Sequence, residues 1–193
     1  MNSTSGGDSI IILDGEEHIA YQFNQQDASL VGFEAELDIH PHPLHWLHFE
    51  NTFSYVRGRF KDAIEGTKNL PMIPAARWTS EVRVDFPGAG KSLRGMYARA
   101  GLMNVFSQEN AFTAYDTEFA TSGYTLLNAG MGAEVHSKKR QLFSIHITGN
   151  NLGDVAYIDH LSRLKYAGIN EVTGRLGVFN PGRNFSVKVN VPF

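Results

Sequence analysis

Apolar and polar residues alternate along most of the chain, and this period of two limits the fold more than any other feature. In residues 184–191 every odd position is apolar and every even position is polar. The same alternation occurs over residues 33–40, 77–86, 127–136 and 143–148. Successive side chains of a β-strand point to opposite faces, so each of these segments has one apolar and one polar face. The sequence therefore predicts an all-β, antiparallel protein.

The connections between the segments predict an up-and-down meander of about eight strands. The expected strands are residues 9–13, 19–40, 45–57, 77–86, 92–106, 123–136, 140–149 and 183–193. From residue 40 onward, tight turns alternate with long polar connections at about 58–76, 107–122 and 150–182. Alternate connections of a meander lie at opposite ends of the sheet, and outer-membrane barrels pair short turns at one end with long loops at the other. The strand lengths also suit a tilted membrane-spanning strand of about 9–11 residues.

In such a barrel the apolar face of each strand meets lipid and the polar face lines a wet interior. The outward set comprises Phe33, Leu37, Ile39, Val82, Val84, Phe86, Phe185, Val187, Val189 and Val191. The inward set comprises Glu34, Glu36, Asp38, Glu81, Arg83, Asp85 and Lys188. Aromatic girdles are expected from Tyr21, Phe23, Trp46, Phe49, Phe53, Tyr55, Trp78, Tyr97, Tyr124 and Phe193. The polar half of each strand explains the mean hydropathy of -0.24.

The composition of the chain excludes several classes of function. Lys and Arg total 17 against 20 Asp and Glu, a net charge of -3, which excludes a generic basic nucleic-acid binder. The chain has no cysteine, so disulfides, thiolate metal sites and cysteine nucleophiles are excluded. No nucleic-acid partner is expected.

Several short segments form an ordered set of motifs. The earlier ones are residues 26–34, 47–56, 70–77 and 124–130. A later stretch, NLGDVAY, contains Asn151, Leu152, Asp154 and Tyr157, and the last strand opens with Pro181, Gly182 and Arg183 and is followed by Phe193 at the end of the chain. Pro and Gly suit the turn into the strand, and Asp154 is expected to bond nearby backbone as an Asx-turn. In this order the segments resemble the C-terminal part of the β-barrel of TonB-dependent outer-membrane receptors, including the family's NLxDxxY motif, its PGR and its terminal aromatic residue.

The resemblance implies a place in the outer membrane and a part in the energy-coupled import of a scarce nutrient, such as a ferric siderophore or another large ligand. Residues 1–193 would be the C-terminal segment of the barrel, without the signal peptide, the plug domain and the earlier strands of a barrel of about 22. The implied partners are the lipid bilayer, the remainder of the receptor, the barrel-assembly machinery and, through the missing N-terminal part, the energy-transducing inner-membrane complex. The barrel-assembly signal would comprise Phe185, Val187, Val189, Val191 and Phe193.

Two alternatives stay open from the sequence. Eight strands can close into a small barrel with an interior filled by side chains, which would serve as an outer-membrane anchor or adhesin. A soluble β-sandwich used as a binding module would bury the same apolar residues in its core. Pairing between strands 9–13 and 183–193 would favour the small barrel.

The sequence contains few features of a catalytic site or a metal site. The chain has no G-x-S-x-G, H-E-x-x-H or P-loop motif, so neither enzymatic activity nor a cofactor is predicted. Acid pairs such as Asp116/Glu118 and Asp154/Asp159 fall in long loops, where ligand contact or solvation is expected. The weak metal candidates are His40, His42, His45 and His48, for which a polar periplasmic turn is the favoured interpretation.

Overall fold

The structure is a computed structural model that describes residues 9–13, 16–20, 25–87, 92–138 and 140–192. Ten strands occur in it. They are β1 (Ser9–Leu13), β2 (Glu16–Ala20), β3 (Ala28–Ile39), β4 (Leu47–Ile64), β5 (Thr67–Asn69), β6 (Arg77–Phe86), β7 (Leu93–Val105), β8 (Tyr124–Ser137), β9 (Arg140–Asn150) and β10 (Asn184–Asn190). The predicted all-β fold is thus confirmed. No helix in the described residues is long and apolar enough to cross a membrane.

The strands form an antiparallel meander. The main sheet has eight strands in the order β10-β9-β8-β7-β6-β4-β3, with β5 paired to β4. The predicted strand 9–13 is not part of this sheet, because β1 pairs with β2 in a separate two-stranded sheet. The eighth strand of the main sheet is the short β5 instead. Within the described residues β3 and β10 do not pair with each other, so both are edge strands.

The register assigns the residues of the long strands to two faces, with shifts near the tight turns at Arg94–Tyr97 and Val135–His136. Glu34 lies opposite Ser54, which lies opposite Arg77, so these three polar residues share one face. On the other face, Phe33 lies opposite Tyr55 and Val187 opposite Ile147. The face that carries the acids is called the inner face below, and the apolar face is called the outer face.

The sheet is a single layer with very little core. The buried apolar side chains of the described residues are Val105, Ala111, Ala114 and Leu126, all in or beside the long loops. The outer face, in contrast, is open: Phe33 is 60% exposed, Met131 57% and Val187 63%. A soluble protein rarely leaves so large an apolar patch uncovered.

The long connections lie at one end of the sheet and the tight turns at the other, as predicted. The loops are L1 (residues 65–76, which contains β5), L2 (106–123) and L3 (151–183). The prediction placed the start of the first loop at residue 58, which is wrong because β4 continues to Ile64. The polar and charged composition of residues 57–66 hid this extension. Residues 21–24 of the predicted strand 19–40, with Tyr21 and Phe23, lie outside the described residues, as does Phe193.

Candidate functional site

Loops L1, L2 and L3 pack together above the inner face. The Gln108 side-chain amide in L2 donates hydrogen bonds to the carbonyls of Ile73 and Pro74 in L1, each at 3.0 Å. Phe60 at the end of β4 makes an edge-on contact with Phe112 at 5.9 Å between ring centroids. These contacts hold L2 against L1 and against the end of β4, at the loop end of the sheet.

A buried group of charged side chains joins all three loops. Glu118 in L2 accepts backbone hydrogen bonds from Met72 at 3.3 Å and Phe112 at 2.9 Å. Lys165 in L3 is fully buried, with its Nζ 3.3 Å from Glu118 Oε1 and 2.7 Å from the His160 carbonyl. A buried charge is tolerated only when it is paired and hydrogen-bonded, which both of these groups are. The expectation that Glu118 contacts ligand or solvent is therefore wrong, because it is only 5% exposed.

His160 completes this buried group. Its Nδ1 shares a hydrogen bond of 2.9 Å with the Thr121 hydroxyl, and its Nε2 lies 3.2 Å from Glu118 Oε1. Burial lowers the pKa of His160, and the neighbouring Lys165 ammonium lowers it further, against the opposing pull of Glu118 and Asp159. His160 is accordingly neutral in the packed loops at neutral pH.

The lowered pKa of His160 predicts that acid loosens the loop layer. An unfolded loop, in which the histidine has its ordinary pKa of about 6.5, binds more protons than the packed loop as the pH falls below that value. Stability therefore rises with pH through this window and is lost on acidification. We expect amide hydrogen exchange of L2 and L3, corrected for intrinsic rates, to increase between pH 7.5 and 5.5. His160→Gln should flatten this dependence; an unchanged profile in that variant would contradict the assignment.

A second cluster lies where L3 crosses the inner face. The Tyr124 hydroxyl at the start of β8 donates to Asp159 Oδ2 at 3.0 Å, and Arg77 at the start of β6 lies 3.8 Å from the same oxygen. The ring of Tyr157 stacks on that of Tyr124 at 4.2 Å. Burial, and then Asp159, raise the pKa of Tyr157, which stays protonated as a hydrogen-bond donor. Tyr124 therefore faces inward and is not part of a lipid-facing girdle.

These residues line an open cavity of about 380 Å³, together with Asn128, Asn180 and Asn184. The cavity lies on the inner face at the loop end. A guanidinium, a carboxylate, stacked phenols and amide groups thus face one space. Such a set can bind a polar or aromatic ligand by hydrogen bonds and stacking.

The structure brings the two late sequence motifs together. Asn151, which is 2% exposed, donates to the Val155 carbonyl at 2.8 Å and receives the Val155 N–H at 2.8 Å. Asp154 accepts the backbone N–H of Arg183 at 2.9 Å, so its carboxylate bonds residues far along the chain and not a local Asx-turn as expected. These bonds connect the start of L3 to its end.

Other motif residues have packing roles. Leu152 donates its backbone N–H to the Leu127 carbonyl at 2.8 Å, and Tyr157 stacks on Tyr124. A side chain at Gly182 would place its Cβ 2.5 Å from Asp154 Oδ1, so the position suits glycine. The Pro181 carbonyl lies 3.5 Å from the Asn151 amide. The motif therefore anchors L3 over the inner face.

The four histidine candidates lie at the tight-turn end and divide into two pairs. His40 Nδ1 and His48 Nδ1 are 2.7 Å apart, and His48 Nε2 lies 2.8 Å from Asp85 Oδ2. His42 and His45 contact each other edge-on at 5.4 Å between ring centroids. No group of three or more metal-ligating side chains of this kind is arranged around one point in the described residues.

The residues predicted as a barrel-assembly signal lie on the terminal edge strand. Phe185, Val187 and Val189 are on the outer face of β10, opposite Gly149, Ile147 and Ile145. Val191 follows the strand and is exposed. Phe193 is outside the described residues.

Solved structures of transport proteins share this fold. The chain superposes on the structure titled "Copper transporter OprC" with a TM-score of 0.67 and 20% identity, covering 87% of this chain and 24% of that one. It superposes on the ferric-catecholate import receptor Fiu from E. coli K12 with a TM-score of 0.56 and 18% identity, covering 96% of this chain and 23% of that one.

The chain thus spans about a quarter of the length of these two structures. No protein-family model and no curated protein sequence matches it. At this level of identity the similarity concerns the fold. The antiparallel meander with long loops at one end is the fold of the C-terminal barrel strands of TonB-dependent receptors.

Proposed function

We propose that this chain forms the C-terminal part of the β-barrel of an outer-membrane TonB-dependent receptor. The outer face of the main sheet carries the proposal. Between the tight turns and the level of Val56 in β4, this face has no charged side chain within the described residues, and many of its large apolar groups are exposed. The inner face of the same strands carries acids, bases and amides. Lipid on one side and water on the other satisfy both faces.

The proposed role is non-catalytic transport. The residues of the inner face would line the path of a scarce nutrient, which we propose to be a ferric siderophore or another large ligand. The Tyr124, Tyr157, Arg77 and Asp159 cluster would contact that ligand from the loop end. The partners would be the bilayer, a plug and the earlier strands, the barrel-assembly machinery, and the energy-transducing inner-membrane complex.

The open edges support a larger barrel over a self-closed small one. In hydrocarbon every backbone polar group needs an internal partner, so an edge strand cannot face lipid alone. In the described residues β3 and β10 each pair with only one strand of the main sheet. Strands from the remainder of the receptor would pair with each of them.

Single-cysteine labelling tests the proposal, since residues 1–193 contain no cysteine and any cysteine encoded elsewhere in the intact gene can be replaced by serine. In outer-membrane vesicles from cells that express the intact gene, Val82→Cys and Leu102→Cys on the outer face should resist a water-soluble maleimide. Thr52→Cys and Thr79→Cys, which lie opposite each other on the inner face, should react. The two outer-face variants should also be labelled with a fluorophore in detergent and then reconstituted into vesicles. Quenchers attached to lipid should then reduce the fluorescence of the label at both positions.

Equal labelling of all four variants, or recovery of the protein in the soluble fraction, would contradict the membrane assignment. The DNA upstream of residue 1 distinguishes the two barrel models. We expect it to encode a plug and earlier strands, whereas a signal peptide alone would support the small barrel.

A further inference from the structure

The outer face carries a row of cations immediately beyond its apolar band. Arg57, Arg59 and Lys61 are alternate residues of β4 and continue the row that contains Phe53 and Tyr55. Their register with β3 is unbroken, with Arg57 opposite Val31 and Arg59 opposite Ser29. All three therefore lie on the same face as the apolar band.

The residues between these cations confirm which way they face. Phe60 packs against Phe112 of L2. A Cβ at Gly58 would meet Leu70 and Ile73 of L1 at 3.0 and 2.8 Å. Both neighbours point toward the loop layer above the inner face, so the cations point away from it.

The row lies at the height expected for a membrane–water interface. Leu47 begins the band at the tight-turn end, and Arg57 is ten residues further along β4. At a rise of about 3.4 Å per residue and a tilt of about 40°, this distance spans about 26 Å of bilayer. The apolar band of outer-membrane barrels is about 25 Å tall. Tyr55 and Trp78 occupy the outer face just below the cations, as interfacial aromatic residues do.

The positive charge of the row is only partly neutralised by the protein. Lys61 lies 3.8 Å from the exposed Asp27 carboxylate, which offsets one charge. Among the described residues no carboxylate is within ion-pair distance of Arg57 or Arg59. Two guanidiniums at headgroup level, next to exposed apolar side chains, complement a phosphate group that is attached to acyl chains.

We infer that Arg57 and Arg59, with Lys61 beside them, bind the phosphate of an anionic lipid headgroup in the leaflet on the loop side. This site rests on the proposed function, because it requires the outer face to be embedded in a bilayer. It is distinct from the ligand cluster, which lies on the inner face. The bound lipid would also fix the depth of β4 in the membrane.

Lipid quenching at a single labelled position tests this inference. The protein from the intact gene carries Val31→Cys, labelled with bimane, and is reconstituted in phosphatidylcholine vesicles. A minor fraction of the lipid is brominated phosphatidylglycerol in one preparation and brominated phosphatidylcholine in the other. We expect stronger quenching by the phosphatidylglycerol, and this preference should weaken with added salt.

Arg57→Gln with Arg59→Gln should reduce the preference for phosphatidylglycerol at least about fivefold, since each cation near the membrane surface contributes about 1 kcal/mol. Arg57→Lys with Arg59→Lys should retain most of it. The matched control, Arg163→Gln with Arg175→Gln, removes the same charge from exposed positions of L3 and should leave the preference unchanged. Equal quenching by the two lipids in the parent protein would overturn the lipid-binding inference and leave the proposed function standing. An equal loss of the phosphatidylglycerol preference in the L3 control would do the same. Absence of quenching by brominated phosphatidylcholine would instead overturn the membrane assignment itself.

Discussion

Replacing Glu118 with leucine is expected to destabilise the loop layer by about 3–5 kcal/mol, the usual cost of leaving a buried charge without its partner. The substitution leaves the fully buried Lys165 ammonium with the His160 carbonyl at 2.7 Å as its remaining hydrogen-bond acceptor. It also removes the acceptor for the Met72 and Phe112 backbone N–H groups. Hydrogen exchange of L2 and L3 should rise by at least about a hundredfold, since each 1.4 kcal/mol is a factor of ten.

A double variant separates the charge effect from simple loss of packing. Glu118→Gln with Lys165→Met removes both charges while keeping similar side-chain volumes, and such paired replacements are often neutral or stabilising. We expect this variant to exchange far more slowly than Glu118→Leu. A double variant as exposed as the single one would show that packing, and not the ion pair, holds the loops.

Arginine on the outer face should oppose membrane insertion, whereas arginine one residue away on the inner face should not. Val187 lies in the middle of β10 on the outer face, and Ser186 is its inward neighbour. Val187→Arg is expected to cost about 2–4 kcal/mol in the free energy of folding into a bilayer if it lies near the midplane. Ser186→Arg should cost much less, because the inner face is hydrated.

The measurement is reversible denaturant unfolding of the protein from the intact gene in lipid vesicles. Because this assay contains no assembly machinery, it isolates the lipid cost from any effect on the sorting signal in β10. Equal destabilisation by the two substitutions would be inconsistent with a lipid-facing outer surface and a wet inner one.

Alternation made most of the sheet predictable from sequence. In β10 every residue, and in β6 every residue except Ser80, has the polarity of the face on which it lies. The ends of strands were harder. β4 runs to Ile64, but beyond Tyr55 its outer face is basic. The period of two in hydrophobicity therefore ends near Tyr55, while the hydrogen-bonded ladder continues.

The loop layer was not predictable from sequence. Glu118 lies in L2, dozens of residues before His160 and Lys165 in L3, and each of the three alone is typical of a solvated loop. Their burial depends on the fold of L1, L2 and L3 against one another. The late motifs were identified by their resemblance to a family pattern. In the structure Asn151 and Asp154 have positive φ of 49° and 53°, a conformation in which Asn and Asp are enriched.

If the sheet forms part of a membrane barrel, as proposed, its two unpaired edges in the described residues also limit the order of events during biogenesis. β3 and β10 each present a row of backbone donors and acceptors that water can satisfy and hydrocarbon cannot. These strands therefore cannot enter the bilayer core as a finished sheet and wait for neighbours. In the proposed barrel, insertion and closure would therefore be coupled, and the sheet would enter the membrane fully only as neighbouring strands pair with both edges.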